Sequence, residues 1–143
     1  MIRNARMLIL LHGAGLVLLG LVLGLAAVAE EVAGTQPQAW RAAHNALLLA
    51  GVWLLAMAAV LPLLVLTPPQ QVALCWALLT AAYAFATAIL VQATAGIRAL
   101  GPDGSVAGWF GFVANIVTVG SGLFAGLLTL MGAAGAVKRA PDQ

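Results

Sequence analysis

Four long apolar stretches, separated by short polar breaks, organise the chain. The first runs from about Met7 to Ala29. The second runs to Leu66, with a helix expected from about Pro37. The third covers about Gln71 to Ile97 and the fourth about Ala107 to Val137. Each is at or beyond the ~20 residues that a helix needs to cross the hydrocarbon core. The pattern predicts an all-α integral membrane protein, an up-down-up-down bundle of four helices. The connections are short, so residues 1–143 form a single membrane domain.

The breaks have recognisable chemistry. Glu30 and Glu31 end the first run and Gly34 opens a turn. Thr35, followed three residues later by Gln38, fits a capping box, and Pro37 suits a first helical turn. Pro62 should bend the end of the second helix. Thr67-Pro68-Pro69-Gln70 reads as a short uncharged turn, and Arg98 with Gly101, Pro102, Asp103 and Gly104 as the last loop. Arg3 and Arg6 precede the first run, and Ala26-Ala27-Val28-Ala29 looks like a cleavage site. Yet that run exceeds the ~7–15 residues of a signal-peptide core, so a retained spanning helix is expected.

Composition agrees. The chain is 64% hydrophobic and 7% charged, against about 25% charged in soluble domains. A net charge of +2 rests on six basic residues spread along the chain without a patch, so no nucleic-acid site is read. They serve better as topology determinants. Arg3, Arg6, Lys138 and Arg139 flank one side, and Arg41 and Arg98 the other. The bias favours both termini in the cytoplasm, here of a bacterial inner membrane. Gly20 and Gly24, Ala84 and Ala88, and Gly122 and Gly126 are small residues four apart, suited to close helix packing and to self-association.

Candidate chemistry is sparse. Cys75 is the lone cysteine and there is no CxxCH segment, so neither an internal disulfide nor covalent haem attachment is possible. No carboxylate lies inside a span, which argues against a proton-coupled small multidrug exporter. No CxxC is present for thiol oxidoreduction, and no Ser/His/Asp or phosphate-binding motif is found. Tyr83, Gln92 and Asn115 are polar groups at membrane depth, where hydrogen bonding between helices is their default role.

Two histidines remain. An ionisable side chain in lipid is a functional-site hypothesis by default. His12 lies near the cytoplasmic end of the first helix and His44 near the outer end of the second. The spans put them roughly 20–25 Å apart along the membrane normal, too far to share one metal within a subunit. His44 has two readings: an interfacial, hydrogen-bonded histidine, or a metal or haem ligand. Arg41 sits one turn nearer water, where it could meet a haem propionate. Trp40 suits the headgroup level. Ala43, Ala50 and Gly51 keep the helix surface low enough to admit a flat macrocycle. His12 is read as packed and hydrogen-bonded, or as touching a cofactor edge.

The segment Trp40-Arg41-Ala42-Ala43-His44 resembles the Trp-x-x-x-His that opens the second helix of the styrene oxide isomerase family. Val60-Leu61-Pro62, His12-Gly13, Arg98-Ala99-Leu100-Gly101-Pro102 and Gly108-Trp109-Phe110-Gly111-Phe112 resemble further stretches of that family. The resemblance implies a homotrimer holding non-covalent haem b between subunits, with His44 as the iron ligand. Trp40, Arg41 and His12 are the further candidates for contact with the cofactor. The activity implied by the resemblance is isomerisation of a small apolar epoxide to an aldehyde, with ferric haem as Lewis acid. Two positions depart from the family. Ala50 stands where the family has an asparagine, and Ile89 stands where it has a substrate-binding tyrosine, so no catalytic side chain is assigned. The competing expectations are a non-catalytic membrane subunit or scaffold and, third, a small transporter.

Overall fold

The computed structural model describes residues 2–33, 37–96, 101 and 104–139. Four helices account for nearly all of them: α1 (Ile2–Ala33), α2 (Pro37–Val60), α3 (Pro68–Ala95) and α4 (Val106–Arg139). All four are long and apolar enough to span a membrane. The protein is an all-α, multi-pass membrane bundle, as the apolar runs predict.

The helix ends follow local chemistry. α2 stops at Val60, and Leu61–Leu63 tightens into a single 3-10 turn around Pro62, because proline has no N–H to continue the ladder. The segment expected to be a turn at Thr67–Gln70 is the start of α3. The Thr67 amide donates to Gln70 Oε1 at 2.8 Å, and Pro68 and Pro69 occupy the first turn, where the missing N–H is harmless. The capping box expected at Thr35 and Gln38 involves a residue outside those described, as does the expected loop around Arg98, Pro102 and Asp103. Gly96 ends α3 at φ 66°, in the left-handed region that glycine enters without strain. Ser105 opens α4, its hydroxyl accepting the Gly108 amide at 2.9 Å.

α1 and α2 pair antiparallel in the closest contact of the molecule. A Cβ on Gly51 would stand 2.7 Å from the Gly13 carbonyl oxygen, and one on Gly13 would stand 3.1 Å from Leu54 Cβ. Further along, Gly20 faces Leu48 and Gly24 faces His44. α3 runs parallel to α1 and packs on both α1 and α2, and α4 lies mainly on α3. The amide of Val65 donates to the Gly132 carbonyl at 3.0 Å, tying the α2–α3 connection to the end of α4. Ala5 also approaches Cys75, near the start of α3. Arg3, Arg6, Lys138 and Arg139 therefore gather at one end of the bundle, and Arg41 lies at the other. The largest fully buried side chains, Ile9, Leu16, Leu47, Leu54, Leu74 and Leu78, come from α1, α2 and α3. α4 is the least covered helix.

Candidate functional site

His44 sits seven residues into α2, half-buried, with its ring turned toward α1. Its Nδ1 lies 2.7 Å from the backbone carbonyl oxygen of Gly20. α1 is helical through this stretch, so that oxygen also accepts the amide of Gly24 in the regular pattern. A carbonyl has two lone pairs and can serve both. The absent side chain at Gly24 makes the room: a Cβ there would stand 2.9 Å from His44 Nδ1 and 3.0 Å from Cε1. The Gly20–Gly24 pair, expected to ease helix packing, thus forms the seat of the histidine.

A carbonyl oxygen only accepts, so His44 Nδ1 carries the proton. In the neutral ring Nε2 then keeps its lone pair. The arrangement resembles the outer partner that commonly fixes a ligating histidine.

Trp40 is half-buried one turn before His44, at the end of the bundle remote from the termini. Arg41 is exposed and forms an ion pair with Glu31. That pair ties the last turn of α1 to the first turns of α2, a partner that the sequence does not announce. Ala43 and Gly51, expected to leave room for a macrocycle, are buried, and Gly51 is pressed against Gly13 and Val17 of α1. Ala50 instead borders an open groove of about 340 Å³. Its other walls are Leu49 and Trp53 of α2, Ala81, Ala82 and Phe85 of α3, and Thr118 and Gly122 of α4. The Thr118 hydroxyl donates to the Ala114 carbonyl at 2.8 Å, so the walls are mostly apolar, with the Trp53 indole as a further polar group.

The two histidines are separate, though less far apart than the span lengths suggest. His44 faces Gly20 and Gly24, about 15 Å along α1 from His12 at 1.5 Å per residue. The smaller separation arises because α1 extends to Ala33 and slides past the start of α2. His12 has its own partner, unforeseen in the sequence: its Nδ1 lies 2.7 Å from the Tyr83 hydroxyl. The two rings meet edge to face with centroids 5.5 Å apart. Ile89 is half-buried on α3.

Comparison with known proteins agrees with the family resemblance. The family model described as styrene oxide isomerase matches residues 5–138. No curated protein and no solved structure matches the chain.

Proposed function

This chain belongs to the styrene oxide isomerase family, and we propose that it is a haem-b-binding membrane protein whose iron ligand is His44 Nε2. The observation that carries this reading is the 2.7 Å contact from His44 Nδ1 to the Gly20 carbonyl. It sets the tautomer a ligand needs and holds the ring against rotation. Among the described residues, no three His, Cys, Asp or Glu side chains gather as a metal cage. A porphyrin would bring its own four nitrogen donors to an iron held by His44. Arg41 is the nearby cation for a propionate, exchanging its Glu31 partner for it.

When bound, ferric haem supplies a Lewis acid for opening an apolar epoxide to an aldehyde, without net redox change. The chain's own task is to hold the ligand nitrogen, to exclude water and to offer apolar walls. The groove beside Ala50 suits that last task. Ala50 in its wall offers no hydrogen bond, and Thr118 spends its hydroxyl proton on Ala114. That observation favours the second reading, a haem protein with little or no isomerase activity.

The same proposal includes a homotrimer in a bacterial inner membrane with both termini cytoplasmic. Gly120 and Gly126 are exposed and have no neighbour within 4 Å of where a Cβ would stand. They leave on α4 a surface that another subunit's helix could approach closely. The basic residues at the termini's end of the bundle support the orientation.

A visible absorption spectrum of the purified protein tests the haem. His44→Ala should remove the Soret band with helix content retained, and His12→Ala should leave most haem bound. A full haem complement in His44→Ala, with an unchanged spectrum, overturns the assignment.

A further inference from the structure

We propose that His12, Thr80 and Tyr83 form a polar patch on the lipid-facing side of α1 and α3 that docks α4 of a second copy of this chain, with a hydrogen bond from the His12–Tyr83 pair to the Ile116 carbonyl of that copy. The contact rests on the oligomer proposed above and names the surfaces that meet in it.

The argument begins with a count of polar hydrogens. A neutral imidazole and a phenol together carry two. The 2.7 Å contact between His12 Nδ1 and Tyr83 Oη uses one of them, whichever group donates. The other stays on Nε2 or on the phenol oxygen, and among the described residues neither side chain makes a second hydrogen bond. Thr80 is exposed one turn away from Tyr83 on the same face of α3. The hydroxyls of Thr94, Thr118, Ser121 and Thr129 each donate to a carbonyl of the preceding turn. The Thr80 hydroxyl makes no such bond among the described residues. Tyr83 stands about 22 Å from the start of α3 at 1.5 Å per residue, and it is 44% exposed. Acyl chains offer no acceptor at that depth, and a polar group unsatisfied in hydrocarbon is strongly disfavoured.

α4 carries a matching acceptor. In a helix the carbonyl of one residue points toward the residue four positions on, whose side chain shields it. The seat of His44 shows what glycine changes: with no side chain at Gly24, the Gly20 carbonyl meets a second donor at 2.7 Å. Gly120 repeats that arrangement four residues after Ile116. It is exposed, and nothing lies within 4 Å of its Cβ position, so the Ile116 carbonyl is open to an approaching donor. The depths agree as well. Ala81, Ala82 and Phe85 of α3 line one groove with Thr118 and Gly122 of α4, which brackets Tyr83 and Gly120 at one level. Copies related by an axis along the membrane normal keep their depth, so the donor of one meets the acceptor of the next without a vertical shift. The two surfaces are unlike. Tyr83 faces the α1 side of α3, whereas Gly120 faces away from every other helix. A contact between unlike surfaces runs head to tail and closes as a ring when the rotation closes.

The test uses full-length protein in which Cys75, the lone cysteine, is replaced by alanine. Thr80→Cys and Leu123→Cys are made in separate copies and coexpressed; Leu123 is exposed and lies one turn from Gly120 on the same face. A bis-maleimide should join the two kinds of copy in membranes, and should join neither kind to itself. Gly120→Leu should shift the protein to monomer in native mass spectrometry with helix content unchanged, because no atom of its own chain crowds the site. His12→Phe/Tyr83→Phe should dissociate about 3-fold more readily, the worth of one interhelical hydrogen bond in a membrane. Cross-linking of either single variant to itself overturns the proposal, and so does a Gly120→Leu protein as oligomeric as the parent. An intact oligomer without the mixed cross-link overturns this contact and leaves the oligomer standing. A monomeric parent overturns both, and the Soret band reports the haem separately from either.

Discussion

Placing a methyl group at Gly24 should disturb His44 without disturbing the fold. The new Cβ would stand 2.9 Å from Nδ1 and 3.0 Å from Cε1, against 3.4–4 Å for ordinary contact. The ring must give way by about half an ångström at least. It cannot do so freely, because the same nitrogen is held 2.7 Å from the Gly20 oxygen. The hydrogen bond lengthens or bends, losing part of the roughly 0.5–1.5 kcal/mol such bonds contribute. Altering the outer partner of a metal-ligating histidine typically costs about 10- to 100-fold in metal affinity. The backbone effect has the opposite sign, since alanine favours a helix over glycine by about 1 kcal/mol. Gly24→Ala is therefore expected to retain its helix content and to bind haem at least about 10-fold more weakly. Haem titration followed at the Soret band measures this. Gly15→Ala is the control: nothing lies within 4 Å of its Cβ position, so only the helix preference should register. Equal haem affinity and identical spectra in Gly24→Ala and the parent would refute the idea that the Gly20–Gly24 seat sets the ligand.

Gly51→Ala should lower thermal stability, by about 1–3 kcal/mol for an overpacked contact, because its Cβ would meet backbone atoms of Gly13 and Val17 at 2.7 Å; thermal unfolding in detergent reads the shift. Turnover of a simple aryl epoxide should be weak, on the order of 10²-fold or more below a relative with hydrogen-bond donors at the reacting oxygen; robust turnover would show that Ala50 and Ile89 do not mark the positions inferred for them. Tags at the two termini should behave alike under protease in sealed vesicles, and protection of one alone would contradict the even number of spans.

The fold was legible because a membrane helix is specified by length and polarity, and both are written in consecutive residues. The ends were less legible, since the rule that places them is local and competes with composition. Thr67-Pro68-Pro69-Gln70 looks like a turn by content. It is a helix start because the Thr67 amide finds Gln70 and the prolines fall where no N–H is needed. His44 was legible as a candidate, and so were Arg41 and Trp40 beside it. What surrounds them was not. Arg41 pairs with Glu31 across a helix junction, and His12 pairs with Tyr83 across 71 positions of chain. Such partners depend on how far one helix slides along another, a quantity that apolar runs with soft ends leave open by a turn or more. The same uncertainty placed the two histidines too far apart.

The small residues show how one sequence feature can serve two physical ends. A glycine on a membrane helix removes bulk, and the usual consequence is that another backbone comes close, as at Gly13 and Gly51. At Gly24 what comes close is the edge of an imidazole, together with its access to the Gly20 carbonyl, which a bulkier residue would shield. In lipid that access matters more than in water. A histidine without a partner for its N–H would be costly at this depth, and a histidine whose partner were a carboxylate would carry a second ionisable group into the membrane. A backbone carbonyl satisfies the N–H, adds no charge and leaves the opposite nitrogen basic. The absence of charge inside the spans and the presence of a ligand-competent histidine are thus compatible, and the glycines of α1 are what reconcile them.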